Sequence, residues 1–165
     1  MINEIKKQLK DYDIVNITEQ NFAQVFEIYE TNQDFFLLTQ GKKASIESSV
    51  NDIVAVPPNF DFQQKIYISL WKEGKIIGVL DLLQGYPTQT CIWIGLLLIH
   101  GHLQGGAIGS KIVNALLDVF KNAGYKRVQL GVIENNTKGI SFWQKHGFSK
   151  IRMTENIVVM ERTIK

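Results

Sequence analysis

The sequence predicts an α/β (α+β) fold: one central mixed, mostly antiparallel sheet of about six to seven strands, with helices on both faces. Three observations carry that expectation. First, residues 65–99 hold three apolar, β-rich runs joined by short Gly- or Pro-containing turns, the signature of an antiparallel meander. Second, an apolar run ending near Ile99, a glycine-rich turn, a long amphipathic stretch and a further β run at residues 127–132 form a strand–helix–strand crossover. A crossover of that length demands a parallel pair. Third, helical apolar spacing recurs ahead of the meander, at Phe22, Val25, Phe26 and Tyr29 and again at Ile46, Val50, Ile53 and Val54.

Taken in order, Ile2, Ile5 and Leu9 share a helical face, so residues 1–10 form an extra N-terminal helix. Residues 11–17 alternate and read as a first strand. Thr18 caps the helix carrying the Phe22 stripe, which Asn32-Gln33-Asp34 breaks before the run Phe35-Phe36-Leu37-Leu38. Ser45 caps the next helix, and Pro57-Pro58 ends it. Strands follow at 65–71, 76–83 and 91–99, with Glu73-Gly74 and the segment Gly85-Tyr86-Pro87-Thr88-Gln89 as turns. A long helix from about Gly106 to Ala123 ends at a glycine stop, Gly124. A strand at 127–132, a helix from Asn136-Thr137 to Lys145, and strands at 148–153 and 157–163 complete the chain. The whole of residues 1–165 reads as a single domain, with no repeat, linker or low-complexity segment.

Composition narrows the function classes. The chain has 165 residues, 45% hydrophobic and 21% charged, which is ordinary for a soluble globular protein. A net charge of +2 gives no argument for nucleic acid. The longest apolar run, residues 92–99, is too short to span a bilayer, and the N-terminus lacks the apolar core of a signal peptide. Cys91 is the lone cysteine, so no internal disulfide forms, and a cytoplasmic setting is expected. Three histidines and one cysteine show no ligand-like spacing, so no metal is expected.

The chemistry concentrates in residues 96–111, Leu-Leu-Leu-Ile-His-Gly-His-Leu-Gln-Gly-Gly-Ala-Ile-Gly-Ser-Lys. A strand, a glycine turn and a helix start expose backbone N–H groups that have no internal partner, beside the positive end of the helix dipole. That is a phosphate or pyrophosphate site. A Walker loop is excluded, since no glycine stands at the required spacing ahead of Gly109-Ser110-Lys111. A dinucleotide fingerprint fails because Gly105, Ala107 and Ser110 occupy its three glycine positions. What fits is Gln/Arg-x-x-Gly/Ala-x-Gly/Ala, at Gln104, Ala107 and Gly109. Residues 132–148 supply a second pattern, Val-x-x-x-Asn-x-x-Ala-x-x-Leu/Phe-Tyr-x-Lys-x-Gly-Phe. Asn136 takes the asparagine position, Gly139 the alanine position, and Lys145, Gly147 and Phe148 the last three.

In order and spacing, the two segments resemble the motifs of the GNAT superfamily of N-acetyltransferases, and the predicted element order resembles that family over nearly the whole chain. The resemblance implies transfer of an acetyl group from acetyl-CoA to a primary amine by direct attack, with no metal. Acetyl-CoA and an amine acceptor are the implied partners, a homodimer is left open, and neither nucleic acid nor membrane is implied. It also implies that the strand ending at Ile99 splays from the strand beginning at Arg127. The pantetheine arm would then lie against backbone groups of Leu97, Leu98 and Ile99, and the pyrophosphate against Gln104, Gly105, Gly106, Ala107, Ile108 and Gly109, with Ser110 close by. A backbone N–H near Leu97–Ile99 would stabilise the oxyanion.

One position departs from the family: the tyrosine that many members use to protonate the departing thiolate is Trp143 here, and an indole gives up no proton at neutral pH. Trp143 either packs against the cofactor arm or is a core aromatic, and a non-catalytic acyl-CoA-binding or sensor module is the alternative function. Asn136 is a helix N-cap that also stands where the cofactor passes. Two residues are candidates for handling the amine proton. Asp81 is the one acid in an apolar strand, and His100 has a suitable intrinsic pKa of ~6.5 but also reads as plain loop surface. Glu134 is a weaker candidate. Phe35, Phe36 and Tyr86 either line an acceptor pocket or cover the core edge, and Lys111, Lys138 or Lys145 is placed to meet a phosphate.

Overall fold

The computed structural model describes residues 1–164. The elements run α1 (Ile2–Gln8), β1 (Asp13–Asn16), α2 (Phe22–Glu30), α3 (Gln33–Gln40), α4 (Ile46–Ser49), β2 (Lys65–Lys72), β3 (Lys75–Gln84), β4 (Cys91–Ile99), α5 (Ile108–Asn122), β5 (Arg127–Ile133), α6 (Thr137–Lys145), β6 (Ser149–Thr154) and β7 (Ile157–Thr163). The strands form one seven-stranded sheet in the order β1-β2-β3-β4-β5-β7-β6. Every neighbouring pair is antiparallel except β4–β5. This is the mixed sheet expected from the sequence.

Strand alternation builds two cores. Ile66, Ile68 and Leu70 of β2, Leu80 and Leu82 of β3 and Ile92 and Ile94 of β4 face one way, under the α5 stripe Ile112, Leu116, Val119 and Phe120 and the α1 residue Ile5. Phe142 and Trp143 of α6 pack on the same side. Tyr67, Val79 and Leu98 face the other way, against Phe22, Val25, Ile28 and Tyr29 of α2 and Phe36 of α3. The β2–β3 hairpin turns at Glu73 and Gly74 with φ of 51° and 72°. Two consecutive positive φ values match the right-handed twist of the strands they join.

Four local expectations change. Thr18 does not cap α2: Asn21 holds the N-cap position, and its Oδ1 accepts from Thr18 N–H at 2.9 Å. The run at residues 35–38, left without an assignment beyond the break at Asn32-Gln33-Asp34, lies inside helix α3: Asn32 acts as its N-cap residue, and Gly41 closes it in a left-handed conformation with φ of 70°. The helix expected over residues 46–54 is α-helical only through Ser49 and tightens to a 3-10 turn over Val50–Ile53. The long helix begins at Ile108 rather than Gly106, because Gly105 and Ala107 both take positive φ.

Two irregularities position the site. In the β3–β4 ladder Asp81 opposes Leu96 while Leu82 opposes Ile94, so Gly95 is an extra residue bulged out of β4. The β4–β5 ladder stops one residue earlier, at Ile94↔Leu130, whereas β5 stays paired with β7 to its end at Ile133↔Ile157. Beyond the bulge β4 and β5 therefore part, as the resemblance implied.

Candidate active site

The parting of the strands leaves backbone without a strand partner. His100 N–H donates to the Ile77 carbonyl on β3, so alternation turns the main-chain groups of Leu98 toward β3 and those of Leu97 and Ile99 toward the gap. The gap is a cavity of about 210 Å³ that passes through the sheet. Trp143 and Asn136 line it on the α6 side, Phe35 and Thr39 of α3 on the other, and Leu97 and Leu130 between them. It meets an open groove of about 1340 Å³ that runs along the loop before α5, between α6 on one side and Asp34, Phe35 and Leu38 of α3 on the other.

That loop is built to present N–H groups. Positive φ at Gly105 (80°) and Ala107 (65°) turns the chain sharply into α5. Among the described residues, no backbone N–H of residues 105–110 donates to a protein acceptor. Gly105, Ala107, Ile108, Gly109 and Ser110 line the groove, where the α5 dipole adds partial positive charge. Lys138 and Lys145 of α6 border it from the far side, while Lys111 is held away in a 2.6 Å ion pair with Asp11. An elongated anion fits this donor set and groove.

A polar knot that the sequence did not reveal anchors the loop. Asn32, 6% exposed, donates to the carbonyls of Ile28 (2.8 Å) and Ile99 (3.0 Å), and its Oδ1 accepts from Gln104 Nε2 at 2.7 Å. Gln104 Nε2 also reaches the Ile99 carbonyl at 3.1 Å, and Gly101 N–H donates to Thr31 Oγ1 at 3.0 Å. The Gln104 side chain thus ties the loop to the end of β4. Its signal in the sequence, Thr31-Asn32 between two helices, is visible only once the partners 67 to 72 residues away are known.

The remaining predicted residues fall in distinct places. Asn136 caps α6, its Oδ1 accepting from Gly139 N–H at 2.9 Å, and borders both cavities. Trp143 borders both as well, its ring edge-on to Phe142 and Phe148. Phe36 is core, Phe35 borders the through-sheet cavity, and Tyr86 packs edge-on against Trp93. His100 Nε2 lies 3.0 Å from Glu27 Oε1 of α2, and its Nδ1 accepts from His102 N–H at 3.3 Å; it lines neither cavity. Glu134 is exposed beyond the end of β5.

Asp81 lies on the α3 side. Its Oδ2 accepts from Lys65 Nζ at 2.7 Å, in a pair whose side chains are 16% and 2% exposed respectively. Oδ1 is buried with no protein partner, and the carboxylate sits against Gly95 at the cavity edge. Burial holds its pKa above the ordinary 3.8, Lys65 opposes that rise, and the nearby Asp52 carboxylate adds to it. Asp52 itself is raised by burial and accepts from the Tyr29 hydroxyl at 2.8 Å, and Tyr29 and Tyr67 share a hydroxyl–hydroxyl bond. Two carboxylates therefore sit near one buried ammonium on the α3 side of the sheet, behind Gly95; like His100, none of the three side chains lines either cavity. Among the described residues, no cluster of three or more His, Cys, Asp or Glu side chains forms a metal site, and no helix is long and apolar enough to cross a membrane.

Comparison with known proteins agrees with this geometry. The chain is 29% identical over 90 residues to a probable spermine N(1)-acetyltransferase of Bacillus subtilis subsp. natto (strain BEST195), a match covering 49% of this chain and 57% of that protein. The match thus spans just over half the length of that curated relative. Among solved structures, an acetyltransferase from Thermus thermophilus aligns with a TM-score of 0.76 at 22% identity, over 92% of this chain and 96% of that one. The PaiA N-acetyltransferase from Thermoplasma acidophilum, in complex with coenzyme A, aligns with a TM-score of 0.70 at 14% identity, over 92% and 98%. At these identities the structures establish the fold. The acetyltransferase (GNAT) family model matches residues 24–148, three-quarters of the chain and both strands of the splay, and the chain belongs to that family.

Proposed function

We propose that the chain is an N-acetyltransferase that moves the acetyl group of acetyl-CoA to a primary amine by direct attack, in a cytoplasmic setting. The observation that carries the proposal is the β4–β5 splay, which opens through the sheet and continues into a loop of free N–H groups. Under this reading the N–H groups of residues 105–110 hold the pyrophosphate, and Gln104 ties their loop to β4. Leu97 and the Ile99 N–H bond the pantetheine amides, with Leu98 keeping β4 on β3, and Asn136 and Trp143 flank the arm; the Ile99 carbonyl is held by Asn32 and Gln104.

The amine enters from the α3 side. Its nitrogen attacks the thioester carbonyl carbon, and the Leu97 N–H, already aimed into the gap, stabilises the oxyanion that forms. Collapse breaks the C–S bond and releases the CoA thiolate. Trp143 supplies no proton; a thiol pKa of ~8.5 lets the thiolate leave without an acid or take its proton from water. The proton lost by the amine passes to Asp81 or to water beside it. A raised pKa, a buried Oδ1 with no protein partner and contact with the cavity-lining Gly95 support Asp81 in this role through water, whereas the bond of His100 to Glu27 favours a supporting role at the loop. The spermine named for the Bacillus relative makes polyamines the first acceptors to test.

The test mixes protein, acetyl-CoA and a panel of amines, following free thiol and product mass together. The reading requires amine-dependent thiol release with a matching N-acetylated product. Tight CoA binding without product from any amine would assign the chain to the non-catalytic acyl-CoA-binding alternative.

A further inference from the structure

The through-sheet cavity and the groove share four lining residues: Phe35 of α3, Leu97 of β4, and Asn136 and Trp143 of α6. These four mark the neck through which one opens into the other. The two aromatic rings of the neck belong to helices on opposite faces of the sheet, and both are braced. Phe35 stands edge-on to the buried Phe36 with 5.2 Å between ring centroids, and Trp143 is edge-on to Phe142 and Phe148. Past the neck the cavity is an apolar chamber, lined by aliphatic side chains of β4 and β5 such as Ile94, Leu130 and Val132. Among the described residues, no lysine, arginine, histidine or carboxylate side chain lines it, and the hydroxyl of Thr39 is spent on the Phe35 carbonyl at 2.9 Å.

From this neck and chamber we propose that the acyl donor is not restricted to acetyl-CoA: Phe35 and Trp143 grip the thioester, and the chamber past them admits straight, uncharged acyl chains up to about butyryl while refusing a carboxyacyl group such as succinyl. The inference rests on the acetyltransferase reading and widens its donor class. At the ~30 Å³ that a water-sized group fills, a cavity of about 210 Å³ has room for about seven such groups. The sulfur, the heavy atoms of an acetyl group and the attacking nitrogen take about five, which leaves room for about two further methylenes. Each methylene buried there tightens binding about fourfold. An ionised carboxylate in the same place gives up its water and meets no cation. The transfer balances as it does for acetyl: the amine nitrogen forms the C–N bond to the acyl carbon as the C–S bond breaks, CoA leaves as the thiolate and takes a proton from water, and the proton lost by the amine returns to water.

The experiment measures the affinity of the native protein for acetyl-CoA, butyryl-CoA and succinyl-CoA by calorimetry, with no acceptor present. Butyryl-CoA is expected to bind about fourfold or more tighter than acetyl-CoA, and succinyl-CoA about tenfold or more weaker than butyryl-CoA. Butyryl-CoA bound no more tightly than acetyl-CoA, or succinyl-CoA bound as tightly as butyryl-CoA, overturns the proposal, and both ratios are read without any variant having to fold. Phe35→Ala removes one side of the neck and is expected to lower the butyryl-to-acetyl affinity ratio by about threefold or more, whereas Phe35→Leu keeps it; an unchanged ratio in folded Phe35→Ala overturns the grip assigned to Phe35. With an amine that accepts acetyl, kcat/KM for butyryl-CoA is expected within about tenfold of that for acetyl-CoA, and a butyryl chain that binds without being transferred overturns the widened donor class. Failure to transfer any acyl group to any amine overturns the acetyltransferase reading itself, while the affinity series still decides the chamber.

Discussion

Placing a negative charge in the loop before α5 isolates the electrostatic half of the proposed CoA site. Gly109 is the second residue of α5 and lines the groove, and a Cβ built there makes ordinary contact with the Phe142 ring at 3.4 Å and with Ile99 Cγ1 at 3.7 Å. Gly109→Asn and Gly109→Asp thus add nearly the same bulk and differ by one charge. A carboxylate at this position sits about 5 Å from an anion held by the neighbouring N–H groups. Repulsion at ~5 Å amounts to about 0.8 kcal/mol at bulk-water dielectric and about 3 kcal/mol at an effective dielectric near 20. The groove is open, so the lower half of that span applies: the Asp variant should bind CoA about tenfold more weakly than the Asn variant, with the gap narrowing as salt rises. Isothermal calorimetry with CoA at two salt concentrations, with melting curves to verify folding, measures it. Equal affinities in two folded variants would refute an anion at this loop.

Other expectations follow from the same geometry. Asp81→Asn removes the carboxylate from the ion pair and leaves the Lys65 ammonium, 2% exposed, with the more distant Asp52 carboxylate and its bond to the Ala55 carbonyl. Because burial outweighs the Lys65 pairing at Asp81, the neutral amide should cost well below the about 3–5 kcal/mol of a buried pair broken from one side, and chemical denaturation measures the loss. In the fraction that remains folded, kcat/KM for the amine should fall by ~10²-fold with CoA affinity unchanged; normal turnover in a lower-melting variant would give Asp81 to the fold alone. The pH dependence has a definite sign. Burial raises the folded-state pKa of Asp81, so the folded chain holds this proton more tightly than the unfolded chain, and that contribution is full below about 3.8 and lost as pH rises through the folded value. The stability advantage of the native protein over Asp81→Asn should therefore grow as pH falls from 7 toward 4, and an opposite trend would mean that Lys65 outweighs burial. Trp143→Phe should keep kcat within about an order of magnitude, because the indole gives no proton; a folded, CoA-binding variant without turnover would contradict that. Asn32→Ala unties Ile99 and Gln104 together, and calorimetry should show CoA affinity falling by about fivefold or more, with unchanged affinity refuting the knot as a support of the loop.

Where the sequence was readable, local chemistry was enough. Glu73-Gly74 sets its hairpin through backbone conformation alone, Asn136 caps α6 as its position before Thr137 implies, and the Ile112–Phe120 stripe sinks into the core at helical spacing. The loop around Gly109 was legible for the same reason: glycine, helix start and strand end all lie within a dozen residues. What stayed hidden depends on register. The Gly95 bulge arises from how β4 pairs with β3, and glycine alone does not announce which residue will be extra. The pairing of Asp81 with Lys65 needs the β2–β3 register, which sets Tyr67 opposite Asp81. Helix α3 is not legible because Asn32-Gln33-Asp34 reads as a break, and a break lies there: Thr31 ends α2 and Asn32 stands at the N-cap position of α3, while its side chain turns inward to Ile99.

A bisubstrate conjugate, CoA joined through an acetyl bridge to an unbranched alkylamine, tests both sides of the sheet in a single crystal structure. The account predicts the pyrophosphate against residues 105–110, the acetyl bridge beside the Leu97 N–H, and the alkyl tail emerging between Gly95 and Gly131 on the α3 face. A conjugate whose tail stays in the groove along the loop before α5, or whose pyrophosphate lies away from the loop, would contradict it.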